Sequence, residues 1–170
     1  MAELDEILPI AGIRLASVAA GIKKNGKEDL VVMAIDEAST CAASFTKNAF
    51  CAAPVTLAKQ HLSQHPPRAL LINSGNANAG TGETGMRNAQ LCCQWLAQES
   101  GLLPEQVLPF STGVIGQQLP MPVLQSGIEQ VVPMLAEENW PAAARGIMTT
   151  DTVAKAISRT VLLDNREISI

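Results

Sequence analysis

The chain has 170 residues, about one domain's worth. A domain of that size buries roughly 70% of the surface its unfolded chain exposes. With 47% hydrophobic and 16% charged residues it is too apolar for disorder, and no apolar run approaches the ~20 residues that span a bilayer. The net charge of −4 offers no basic footprint for nucleic acid. The opening Met1-Ala-Glu-Leu-Asp-Glu6 is acidic, whereas a secretory signal starts basic, so a cytoplasmic location is expected. Aromatic residues are only 3%, so small aliphatic side chains must build the core. Small side chains let helices and sheets approach closely, which suits a layered α/β domain over residues 1–170. Cys41, Cys51, Cys92 and Cys93 form no C-x-x-C and read as buried, reduced thiols.

In chain order, residues 13–22 read as a strand, followed by Asn25-Gly26, a strong signal for a two-residue type I′ hairpin turn. Leu30 to Ile35 is a continuous apolar run, as in a strand covered on both faces. Residues 41–46 read as a further strand. Pro54 suits the first turn of a helix over about 54–63, which Pro66-Pro67 stops. Arg68-Ala-Leu-Leu-Ile-Asn73 is a buried strand that empties into a Gly/Asn-rich loop from Ser74 to Gly85. Thr84 can cap a helix to Ser100, with Gly101 as its left-handed terminator. Val107 to Phe110 is the next strand, ending in Ser111-Thr112-Gly113. A helix over about 122–132 precedes Pro133. Asn139 can cap a short helix with Pro141 in its first turn. Residues 152–163 read as a strand, Asp164-Asn165 as a turn, and Glu167 to Ile170 as the start of a strand for which the chain supplies no evident partner. That last feature suggests one piece of a larger unit.

Candidate chemistry is sparse. Gly80-Thr-Gly-Glu-Thr-Gly85 spells G-x-G-x-x-G before a helix. However, its first glycine lies seven residues past Asn73, and the next strand ends in Ser-Thr-Gly where an acidic residue should grip a ribose. Glycines taking positive φ explain the segment without a nucleotide. His61 and His65 stand four apart, but zinc needs a third ligand and none is nearby; they read as surface histidines at a helix end. No G-x-S-x-G elbow is present. Ser111-Thr-Gly-Val-Ile-Gly116 places hydroxyls and glycines at the carboxyl end of a buried strand, where α/β proteins hold ligand groups. A Thr hydroxyl beside an exposed Gly N–H can form a pair of oxyanion donors, but taken alone the segment fits an ordinary strand-to-loop turn better. Met148-Thr-Thr-Asp-Thr152 is a hydroxyl cluster that suits a substrate carboxylate or a Thr-rich strand start.

Five segments in order carry a resemblance: Val18-Ala-Ala-Gly-Ile-Lys-Lys24, Cys51-Ala-Ala-Pro54, Asn73-Ser-Gly-Asn-Ala-Asn-Ala-Gly80, Ser111-Thr-Gly-Val-Ile-Gly116 and Ile147-Met-Thr-Thr-Asp-Thr152. Together they resemble the N-terminal half of the ornithine acetyltransferase family, the bifunctional glutamate N-acetyltransferases. The resemblance implies an α/β layered sandwich shared with certain self-cleaving aminopeptidases. It also implies that the chain is the α chain of a self-cleaved precursor, with the cleavage segment expected shortly after Ile170. The N-terminal threonine of the β chain is then the nucleophile, its own amine the base. The implied reaction passes acetyl from N-acetylornithine to glutamate in arginine biosynthesis, with no cofactor and no metal. Acetyl-CoA serves some members as donor. The implied partner is the β chain in an α2β2 heterotetramer. By motif, Thr112 and Gly113 match the oxyanion-hole pair, and Thr149 or Thr150, the former preferred, matches the substrate-contacting threonine. A related self-cleaving amidohydrolase and a nucleotide-binding module on Gly80–Gly85 are the alternatives.

Overall fold

The computed structural model describes residues 7–170; the acidic opening at residues 1–6 lies outside them. A four-stranded mixed sheet runs in the order β1 (Ile13–Val18), β2 (Leu30–Ile35), β3 (Ala69–Asn76), β4 (Val107–Val114). The first two pairings are antiparallel and the last is parallel. The parallel pair is joined through α2 (Gly82–Ser100), as parallel strands require a crossover. The β2 run is central, and its Leu30, Val31 and Val32 are at most 1% exposed, which explains its unbroken apolar sequence. Strand β4 is an edge, so Pro109 is tolerated there despite its missing N–H. The opposite edge, β1, is partly closed: Leu15 exchanges two backbone hydrogen bonds with Ala136, and the Asn139 amide donates to the Leu15 carbonyl.

One face of the sheet carries most of the core. There α1 (Ala53–Gln64), α2 and α3 (Met121–Val131) pack over Ala16, Val18, Leu30, Val32 and Leu71. The buried positions of α1 are Pro54, Leu57, Ala58 and His61, and those of α3 are Leu124, Gly127, Ile128 and Val131. Both follow the i, i+3, i+4, i+7 stripe of an amphipathic helix. Gly127 has no room for a side chain, since a Cβ would lie 2.6 Å from Ala20 Cβ and 2.8 Å from Leu30 Cδ2. The other face is covered by the short α4 (Trp140–Gly146), whose Ala143 packs with Leu15 and Val31. A Cβ on Gly146 would collide with Ser17 Oγ and Val31 Cγ2, so a small residue sets the helix–sheet distance here too.

The expected helices stand, with α2 terminating at Gly101 in the left-handed region (φ 68°). Several other expectations need correction. The first strand ends at Val18, and an eleven-residue connection, 19–29, replaces a tight hairpin. Gly26 has φ 68° but Asn25 does not share the left-handed region; its side chain instead accepts from the Lys27 N–H, the local Asx arrangement that competes with a type I′ turn. Residues 41–46 and 152–159 are irregular, because apolar content without a partner strand makes no ladder. Thr81, not Thr84, occupies the N-cap position of α2, and β3 continues through Asn76. Asn139 flanks α4 but spends its amide on Leu15 and Met134 carbonyls rather than capping.

The segment at Glu167–Ile170 does have a partner. Strand β5 (Thr160–Leu163) pairs with β6 (Arg166–Ser169) in a separate hairpin. Asp164 (φ 49°) and Asn165 (φ 61°) make the type I′ turn between them. This hairpin is exposed nearly throughout. Cys92 and Cys93 are buried as expected, but Cys41 is exposed and Cys51 half-buried. Burial pushes the Cys92 thiol up to about 12 and Cys93 higher still, which favours the neutral thiol over the nucleophilic thiolate.

Candidate active site

The carboxyl ends of β3 and β4 lie side by side. Ser74 pairs with Thr112 and Gly75 with Gly113, before the register shifts at Asn76. Thr112 and Gly113 are exposed to solvent there, at the end of a parallel pair, where α/β folds hold ligands. The two paired glycines have nearly the same φ, 132° at Gly75 and 133° at Gly113. Such a backbone is open to glycine and strained for other residues. A Cβ at Gly113 would also lie 2.6 Å from the Gly75 carbonyl oxygen and 2.7 Å from the Asn76 nitrogen. Gly113 is therefore fixed as glycine twice, by its φ and by the neighbouring backbone.

Thr149 and Thr150 are exposed in the bend that follows α4. The helix end before this bend is tied to the strand ends: the buried Ser74 hydroxyl donates to the carbonyl of Gly146, the last residue of α4. Ser74 is the cross-strand partner of Thr112, so the two share a face of the sheet, the face on which the end of α4 is bonded.

Behind them stands an amide network that sequence reasoning missed. Asn73 donates to the Ser111 hydroxyl at 2.6 Å. Asn76 donates to the carbonyls of Gln117 and Gln118 and accepts from the Asn78 N–H at 2.8 Å. Asn78 donates to the Gly85 carbonyl and accepts from the Thr81 hydroxyl. Ala77 and Gly116 N–H groups donate to Val114 and Ala79 carbonyls. These bonds lace the loop after β3 to the loop after β4. Three asparagines within six residues at a strand end were the available signal, since an asparagine amide readily replaces backbone partners in a turn.

The glycine pattern of the 80–85 segment serves the loop. Gly80 (φ 69°) and Gly82 (φ 60°) supply left-handed turns, and Gly85 makes room for Thr81 and Asn78 within the first turn of α2. His61 is not at the surface: it is 5% exposed and its Nδ1 lies 2.8 Å from the Val107 carbonyl. Its burial depends on β4, which packs against the helix end and is remote in sequence. Among the described residues no group of three metal-binding side chains occurs, and no helix is long and apolar enough to cross a membrane.

Fold and site together define an α/β layered chain with a glycine-backed hydroxyl turn at a parallel strand end. The ArgJ family matches residues 14–170, and the chain belongs to that family. It is 48% identical over 164 residues to the arginine biosynthesis bifunctional protein ArgJ of Methylococcus capsulatus, covering 96% of this chain and 40% of that protein. It is equally close, over 167 residues, to the ArgJ protein of Pseudomonas fluorescens, covering 98% and 41%. The chain thus spans about two fifths of the length of these curated relatives. Among solved structures it resembles the ornithine acetyltransferase of Mycobacterium tuberculosis complexed with ornithine. That match has a TM-score of 0.84 at 34% identity, covering 95% of this chain and 86% of that one. It also resembles the ArgJ protein of Bacillus halodurans, with TM-score 0.83 at 27% identity, covering 95% and 84%. The layered α/β fold and the family resemblance drawn from the five motifs are thereby established.

Proposed function

We propose that this chain is the α chain of a glutamate N-acetyltransferase that moves acetyl from N-acetylornithine to glutamate in arginine biosynthesis, in the cytoplasm. The observation that carries the reading is the Thr112–Gly113 turn, exposed at the strand end and backed by a second glycine. In this mechanism the N-terminal threonine of a β chain adds its hydroxyl oxygen to the acetyl carbonyl, and its own amine takes the proton. The Thr112 hydroxyl and the Gly113 N–H stabilise the resulting oxyanion. Collapse expels ornithine, whose amine receives the proton, and leaves an acetyl-threonine ester. The amine of glutamate attacks that ester through a second tetrahedral intermediate, held by the same donors, and the threonine is restored. Thr149 or Thr150, with Thr149 preferred, holds the carboxylate-bearing part that both substrates share.

Two facts support a separate β chain. The chain covers about two fifths of the curated relatives but 86% and 84% of the solved chains, so those solved chains are close to this one in length. The exposed β5–β6 hairpin carries Leu162 at 69% and Leu163 at 59% exposure, and clustered exposed apolar residues mark interaction surfaces. The assembly we propose is α2β2.

The test is single-turnover kinetics on processed enzyme. Thr112→Ala is expected to lower the rate of both half-reactions by roughly 10² to 10³, the usual cost of one oxyanion donor, with Thr112→Ser retaining much more activity. Equal, near wild-type rates in both variants remove Thr112 from the mechanism. Intact-mass measurement of the native enzyme checks the partner: a lone active 17.9 kDa species ends the two-chain reading.

A further inference from the structure

One buried charge is left unused by this mechanism. Asp29 is 0% exposed. A buried carboxylate is costly unless its oxygens are hydrogen-bonded, and here they are: Oδ1 accepts from the Ala20 N–H at 2.7 Å, and Oδ2 from Gly21 at 3.2 Å and Lys23 at 2.7 Å. Bonds of this charged kind are about twice as strong as neutral ones. The Asp29 backbone is tied as well. Its N–H donates to the Val18 carbonyl, and its carbonyl accepts from the Ser74 N–H at 2.8 Å. One residue therefore suspends an irregular loop from the strand end that carries Ser74.

What the loop then touches is the site. Held by Asp29, Ile22 reaches Gly75: a Cβ there would lie 3.0 Å from Ile22 Cγ2 and 3.4 Å from Lys23 Cγ. Gly75 is the cross-strand partner of Gly113 and leaves it no space for a Cβ. The Asp29 carboxylate thus holds Gly21 and Lys23, the chain neighbours of Ile22, Ile22 lies against Gly75, and Gly75 pairs with Gly113.

We infer that Asp29 is a positioning residue for acetyl transfer: its carboxylate holds residues 20–23 so that Ile22 seats Gly75 against Gly113 and fixes the direction of the Gly113 N–H and the Thr112 hydroxyl. The inference rests on the reading of those two groups as oxyanion donors. Asp29 itself touches no substrate.

The experiment is a double-mutant cycle on the full two-chain enzyme with Asp29→Asn, Thr112→Ala and the double variant, followed for both half-reactions. Asparagine keeps the size but turns one acceptor oxygen into a donor facing backbone N–H groups. Asp29→Asn is expected to lower kcat about tenfold, as a small misplacement of catalytic groups does, with KM changed by less than about twofold. Thr112→Ala should then cost much less in the Asp29→Asn background than in wild type, because the donor is already misdirected. If Thr112→Ala is costly and equally so in both backgrounds, the positioning role falls and the oxyanion reading stands. If Thr112→Ala is harmless in wild type, the oxyanion reading itself falls, and this inference with it. A lower melting temperature with unchanged kcat per folded molecule makes Asp29 merely structural and overturns the inference. Should Asp29→Asn fail to fold, Ile22→Ala leaves the carboxylate and its three bonds in place and enters the same cycle. A several-fold loss of kcat with a reduced Thr112 cost supports the proposal, and wild-type kcat overturns it.

Discussion

Leu96 and Leu162 are the same side chain in opposite circumstances. Leu96, on α2, is 0% exposed in the main core, while Leu162, on β5, is 69% exposed. The contrast extends to their surroundings. The body over residues 13–146 closes its sheet with helices on both faces, whereas β5 and β6, among the described residues, pair only with each other. An isolated two-stranded hairpin is marginal in water. The body accounts for its own stability through burial; the hairpin leaves Leu162 and Leu163 exposed. Apolar composition alone therefore does not separate a core from an interface. The difference lies in whether a second layer is supplied within the same chain.

The contrast is tested first at Leu96. Leu96→Ala removes a fully buried side chain and is expected to cost about 2–5 kcal/mol, read as a lowered urea midpoint. A cost near zero would make the α2 core as slack as the hairpin. Next comes Gly26, in the 19–29 connection, with φ 68° and nothing within 4 Å of the point a Cβ would occupy. Gly26→Val meets no clash, so only backbone strain remains, about 1–2 kcal/mol, with turnover per folded molecule unchanged. A large loss of turnover at unchanged melting would tie that turn to the site. Leu162→Ser should shift the stability of this chain by less than about 0.5 kcal/mol, as exposed substitutions do, yet weaken its association with the second chain in analytical ultracentrifugation. If it destabilises the chain as much as Leu96→Ala, the hairpin is packed and the contrast collapses. The smallest effect concerns Asp151, which stands between Thr150 and Thr152 in the hydroxyl cluster. The Lys155 ammonium bonded to it at 2.5 Å holds its carboxyl below the usual range. A depressed carboxylate stabilises above its unfolded pKa and loses that contribution as pH falls through the folded one. Because the pair is exposed, the stability change is slight. Lys155→Ala should move the Asp151 titration upward in an NMR experiment, and no movement would deny the pair.

Legibility followed locality. The three main helices could be read because their buried positions recur at helical spacing and because Pro54, Pro66 and Gly101 punctuate them. The Thr112–Gly113 turn could be located because it ends a short buried strand. Residues 41–46 and 152–159 misled because apolar content suggests a strand only where a partner exists, and pairing is a non-local fact. Asn76 finds its acceptors 41 and 42 residues away, and His61 finds Val107 at a separation of 46. No pattern within a window reports such contacts. Asp29 was invisible for a related reason: its three donors are close in sequence but belong to a loop whose shape exists only once the carboxylate is buried.

The unequal burial of the four thiols has a practical consequence. Cys41 stands in solvent, while Cys92 and Cys93 lie side by side in the sequence beneath the sheet's main helical cover. An alkylating reagent will therefore modify Cys41 from the native state, but must wait for α2 to leave the sheet before it reaches the other two. The chain carries its own stopwatch for global opening, with a prompt signal that starts the count and an adjacent pair of late signals that ends it.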